Sequence, residues 1–335
     1  MDDTRIGTRN ARDEWRPNTH LKIAPFYKLP PDWKELLAWV PHYFLPWNIP
    51  IALSAVAWWA FVLPSVETMA TLSAGWVLWL LCVNVIAVAL FYGFFEMRLY
   101  IQRAQENRFK YNPVFPADRR SKLFWFANQN IENILRTFLF GVPVWTGIQA
   151  LVLWQFAQSG VWQTNPWIIG LIALFVPVIH QAHFYCIHRL IHTRFLYKWV
   201  HSIHHRSVNP SPWSSLAMHP VEHALYFASM LWHLVLPSNP VLAIYQLHYA
   251  GFGAIPGNMG FDRIEVGEDT AFDPHAYGHY LHHKYFEVNY GDGLVPFDKL
   301  FGTYHDGSDE AAARMRARLK ARSAKRAGAA APNSS

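Results

Sequence analysis

Residues 180–205 read HQAHFYCIHRLIHTRFLYKWVHSIHH, and the rest of the chain is best read outward from them. Two spaced groups lie inside the stretch, His188-Arg-Leu-Ile-His192 and His201-Ser-Ile-His204-His205. A third, His279-Tyr-Leu-His282-His283, follows much later. On a helix, positions i, i+3 and i+4 fall on one face, so each group is expected to aim its rings at one point. Neutral imidazole suits iron, zinc, copper and nickel.

Upstream of this stretch the chain is apolar. Trp167 to Ile187 carries no Asp, Glu, Lys or Arg and runs directly into His188. Phe138 to Ala157 is a second such run, separated from it by QSGVWQTNP. Phe44 to Val66 and Thr68 to Phe95 are two more, interrupted by Glu67 alone. A bilayer crossing needs about 20 apolar residues. The expected architecture is therefore all-α and integral to a membrane. It has about four transmembrane helices and a helical, histidine-rich cap on the cytoplasmic side.

Charge supports this. Only 16% of the 335 residues are charged, against about a quarter in ordinary soluble domains. Residues 1–36 hold seven Lys/Arg, and residues 96–136 hold eight. The two turns between paired spans hold none. The positive-inside rule then puts both termini and the 96–136 loop in the cytoplasm. The net charge of +6 goes with membrane orientation, since no nucleic-acid motif accompanies it. Cys82 and Cys186 sit in apolar runs and read as buried small hydrophobes. The N-terminus lacks the apolar core of a signal peptide.

The expected organisation has four parts. Residues 1–36 form an arm along the membrane surface, and 37–187 the spans with their loop. Residues 180–305 form the metal-binding region, and 306–335 a basic tail whose last residues, AGAAAPNSS, are disordered. Ala224–Leu236 and Val241–Ile255 are too short to cross, so they read as a re-entrant hairpin.

Sixteen of the 18 histidines lie between His180 and His305. One ion cannot use so many, since a structural zinc takes four ligands. Eight or more converging imidazoles imply two metals. No Glu-x-x-His is present, which disfavours the carboxylate di-iron bundle. A redox metal at a membrane face suits oxygen-dependent attack on a lipid C–H bond. A His-rich metal transporter, or a metal-binding membrane protein without oxygenase activity, is the rival reading.

The text HRLIH, VHSIHH, MHPVEH, HYLHH, then NYG (289–291) and FDKLFGT (297–303), resembles the membrane fatty acid hydroxylase and sterol desaturase superfamily. That resemblance implies a di-iron centre of two Fe and O2 as co-substrate. It implies electrons from an external donor (ferredoxin, cytochrome or reductase), a lipid substrate, and no nucleic acid. It assigns as ligands His188, His192, His201, His204, His205, His279, His282 and His283, with His219 and His223 beside them. Family members often carry His-x-Gly-aromatic before the last cluster. Here it reads Asn258-Met-Gly-Phe261, so Asn258, directly or through a water, or His248 or His275 is the candidate additional ligand of the second metal. His183 and Glu222 are candidates for orienting ligand rings, with ordinary helix packing or a salt bridge as the alternative. His233 reads as a core residue, and His20, His42 and His305 as surface residues.

Overall fold

In the computed structural model, which describes residues 1–330, four helices are long and apolar enough to cross a bilayer. They are α1 (Trp33–Phe61), α2 (Ala74–Ile101), α3 (Gln129–Ser159) and α4 (Pro166–Ile191). The first span starts earlier than expected because Asp32 caps it, accepting from the Lys34 and Glu35 amides. It is broken near Pro46, where the helix stops at Phe44 and restarts at Asn48. The turn after it is longer than Glu67 alone suggests, and includes a short helix at Val66–Met69.

Each span buries one stripe and turns the rest outward. On α2 the stripe is Trp76, Leu80, Asn84, Val88 and Tyr92, every fourth residue. Leu78, Trp79, Ile86, Leu90 and Phe94 face away. With lipid outside, apolar burial alone does not hold spans together, and polar pairs add specificity. Asn84 supplies one, donating to Thr146 Oγ1 at 2.9 Å and Gln149 Oε1 at 2.8 Å on α3. Cys82 and Cys186 are both exposed, on outward faces rather than in the core. At either position the stripe spacing leaves the side chain outside.

The segment expected to be re-entrant has α5 (Pro220–Phe227), a 3-10 turn over Ala228–Leu234, and α6 (Pro240–Phe252). Helix α6 is about 20 Å long, short of the ~30 Å apolar core. It packs against α1 and α4 and is buried almost throughout. Gly251 lets it close on α3, because a Cβ there would lie 1.9 Å from Trp145 Cζ3.

The remaining elements build the cap. They include α7 (Ala254–Asn258), α8 (Tyr277–Tyr285) and α9 (Asp309–Ala330). The N-terminal arm is no free surface segment. It forms a hairpin, β1 (Gly7–Arg9) with β2 (Trp15–Pro17), docked on the cap. Trp15 is buried with Phe109, Tyr111, Tyr277 and Tyr280, and Glu14 meets Lys284 at 2.9 Å. Helix α9 follows Ser308, whose hydroxyl accepts from the Ala311 amide, and runs to Ala330. It thus includes the start of the stretch expected to be disordered. Residues 331–335 of that stretch lie outside the described residues.

Candidate metal centre

Helix α4 starts at the Asn165 cap and Pro166 and stays helical for 26 residues. Its buried stripe of Val176, His180, Gln181, Tyr185 and His188 ends at the first candidate ligand. His192 closes the helix as its C-terminal cap residue, one turn beyond. A short helix, Arg194–Trp199, leads to a 3-10 turn, His201–Arg206, and α8 brings in the third cluster.

The three clusters meet. Their rings sort into a group of five (His188, His192, His201, His205, His282) and a group of three (His204, His279, His283). Within each group the candidate ligand atoms lie within 4.8 Å of one another. This corrects the expectation that each cluster aims at one point. His201 and His205 go together while His204 turns to the other group. His279 and His283 go together while His282 turns away. Adjacent residues on a helical turn are about 100–120° apart, so neither His204-His205 nor His282-His283 can share a centre.

The nitrogens face one another. His188 Nε2 is 3.2 Å from His201 Nε2, and His282 Nε2 is 3.2 Å from His192 and 3.1 Å from His205. In the smaller group His283 Nε2 is 3.1 Å from His204 and 3.0 Å from His279. The opposite nitrogens decide what these contacts are. His188 Nδ1 faces the Tyr290 carbonyl at 2.6 Å, and His282 Nδ1 faces that of Val288 at 2.7 Å. A carbonyl only accepts, so Nδ1 carries the proton in both rings and Nε2 points inward as a bare lone pair. Glu222 Oε1, 2.7 Å from His201 Nδ1, does the same to a third ring when ionised. Lone pairs held this close repel unless a cation lies between them. The donor set therefore fits a metal, and the backing groups are the kind that orient ligand imidazoles.

Protonation does not supply that cation. Burial, and then the charge of His188 and other neighbours, hold His192 down to about 2. Burial brings His279 to about 4 and pushes His205, His282 and His283 well below the usual imidazole range. Burial also pushes the Glu222 carboxyl up, a cost that a cation among the rings offsets.

Other candidates fall outside both groups. His219 caps α5, its Nδ1 accepting from the Val221 amide, so the His-Pro pair here starts a helix. His223 is buried, with Nε2 on the Leu216 carbonyl at 3.0 Å. His248 sits between spans, bonded to Ser54 at 2.8 Å and packed on Trp58. His275 is exposed beside Asp273. Asn258 is buried near the smaller group's cavity wall, its amide donating to the Ala254 carbonyl. His183 bonds the Leu225 carbonyl and Trp232, tying α4 to the hairpin rather than to a ligand. His233 is a core residue bonded to Ser238. His305, expected at the surface, is buried against Tyr285.

One supporting residue was not singled out from the sequence. Asp298 accepts from the Tyr290 amide at 3.0 Å, the Gly291 amide at 2.8 Å and Thr303 Oγ1 at 2.5 Å. It fixes the loop whose Tyr290 carbonyl orients His188. The NYG and FDKLFGT stretches held the signal, since this contact is what joins them.

Comparison with known proteins agrees with the geometry. Residues 173–303 match the profile of the fatty acid hydroxylase family. A Delta(7)-sterol 5(6)-desaturase of Gibberella zeae is 33% identical over 36% of this chain and 34% of its own length. The corresponding protein of Aspergillus fumigatus is 32% identical over 38% and 35%. A very-long-chain aldehyde decarbonylase of Oryza sativa subsp. japonica is 31% identical over 47% and 26%. The chain thus spans about a third of the length of the curated relatives it matches. No solved structure matches it significantly. The segment 173–303, which holds all eight converging histidines, is thus similar to the fatty acid hydroxylase family and to the sterol desaturases.

Proposed function

We propose that this protein is a membrane-bound, non-haem di-iron oxygenase that hydroxylates, or desaturates, a lipid with O2 and electrons from an external donor. The observation that carries this reading is the inward lone-pair arrangement of two neighbouring imidazole groups beside an apolar cavity. His188, His192, His201, His205 and His282 would hold one iron. His204, His279 and His283 would hold the other, with Asn258 or a water completing it. Two irons would supply oxygen activation and C–H bond oxidation. Glu222, Asp298 and the Tyr290 and Val288 carbonyls keep the ligand rings in their inward-facing tautomers. The burial of the rings keeps bulk water from the reacting carbon. Hydroxylation is the favoured outcome of the two.

The distribution of Lys and Arg supports a site and termini on the cytoplasmic side. The converging histidines support residues 180–305 as the catalytic region, with 37–187 as its anchor and 306–335 as a basic appendage. Transport is the weaker reading. Transport ligands sit near the bilayer midplane on broken helices, whereas His188 and His192 lie at the very end of an unbroken α4. Two measurements test the proposal: iron per purified chain, and mass spectra of lipids from expressing cells with and without O2. Two irons, and an oxygen-dependent gain of one oxygen or loss of two hydrogens, are expected. A single zinc with metal flux in proteoliposomes overturns it.

A further inference from the structure

A cavity of about 590 Å³ leads to the histidines and is walled by Tyr43, Trp47, Phe184, Tyr226 and Tyr249. His188, His201, His204 and His279 line it as well. Most of its acidic groups are satisfied by their own neighbours. Glu222 is bonded to His201, and Asp298 to two amides and a hydroxyl. Asp262 and Asp273 meet Arg263, and Glu35 meets Lys28.

Asp292 differs. Its carboxylate accepts one hydrogen bond, from Gln181 Nε2 at 2.8 Å, and its own amide donates to Gln181 Oε1 at 3.1 Å. No cation pairs with it among the described residues. Much of its surface is accessible, and it lines the cavity. Desolvation by the surrounding protein raises its carboxyl to about 6, which leaves it an anion at neutral pH. Gln181 holds one oxygen and fixes the group's direction, leaving the remaining acceptor positions to the cavity.

We propose that Asp292, clamped by Gln181, recognises an ammonium group on the substrate, so that the lipid oxidised here carries a protonated amine. Aromatic walls suit this ligand, because ring faces attract cations as well as acyl chains. Gln181 precedes His188 by seven residues on α4, about 10 Å along the helix axis.

The inference rests on reading the cavity as the lipid site. Its test reads binding rather than turnover, so the two fail separately. A chain that binds the amine yet oxidises nothing sinks the oxygenase reading alone. Dodecylamine and dodecanol are titrated at pH 7.5 against the purified full chain in neutral detergent, followed by tryptophan fluorescence. The amine should bind at least ~10-fold tighter than the alcohol, the scale expected of a charge-assisted hydrogen bond. Asp292→Asn should erase that preference while dodecanol binding persists, which shows that the cavity has folded. Equal binding by the unmodified chain overturns the proposal even if the variant does not fold. So does a preference that survives in Asp292→Asn.

Discussion

The five-ring group draws on all three sequence clusters and the three-ring group on two of them, and the two are secured differently. In the larger group, His188, His201 and His282 are each held from behind by a carbonyl or carboxylate. In the smaller group, His283 Nδ1 has no hydrogen-bond partner among the described residues, as is also true of His205 Nδ1 in the larger. The larger group also draws on α4, the turn after it and α8, whereas the smaller lacks any ring from α4. One site is fixed by ligand number and by oriented backing groups. The other depends on three rings and on whatever Asn258 contributes.

The largest effects should come from splitting an adjacent pair. His282→Ala and His283→Ala change neighbouring residues yet should empty different sites. Each should reduce iron from two to about one per chain, with turnover lost. Metal analysis with Mössbauer spectra of the remaining iron checks this. If both variants leave the same iron species, the division into two groups is wrong.

Backing residues come next. Glu222→Gln and Asp298→Asn should each cost about 10–100-fold in metal affinity or activity, the usual range for groups that orient ligands. Iron retention during chelator titration should fall for the five-ring site first. Loss from the three-ring site first would reverse the comparison.

Acid offers a graded test. The folded cap keeps its rings neutral, whereas an unfolded chain takes up protons below about 6.5. Stability and metal content are therefore full above 6.5 and decline as pH falls toward about 4, where His279 itself titrates. Thermal unfolding of the metal-free chain between pH 7.5 and 5 should show a falling midpoint. A flat profile contradicts the burial of the rings.

Asn258→His should sharpen the weaker site, slowing its iron loss to chelator several-fold and leaving the five-ring site unchanged. The smallest effect belongs to His219→Ala. It removes a helix cap worth about 1 kcal/mol and should leave both irons in place. Loss of iron from that variant returns His219 to the ligand set.

Legibility varied with the range of the interaction. The four spans were readable because charge-free runs of about 20 residues are a local property. The starts of the first and third were not, since the Asp32 and Asn128 caps begin those helices well before their charge-free runs. The eight converging histidines were readable from spacing and from likeness to a family. His219 and His223 shared that likeness, yet neither ring joins the two groups, and each has one nitrogen on the backbone, at Val221 and Leu216. The place of Cys82 and Cys186 was lost because apolar sequence does not say which helix face meets protein and which meets lipid.

The sequence by itself determined that the chain crosses a membrane and concentrates its imidazoles just beyond the last span. Both follow from composition along one dimension. Only the tertiary structure decided which imidazoles share a centre, because that depends on the angle between neighbouring side chains and on helices about 90 residues apart. It alone also supplied the carbonyls that set each ring's tautomer, since main-chain oxygens carry no signature in the sequence.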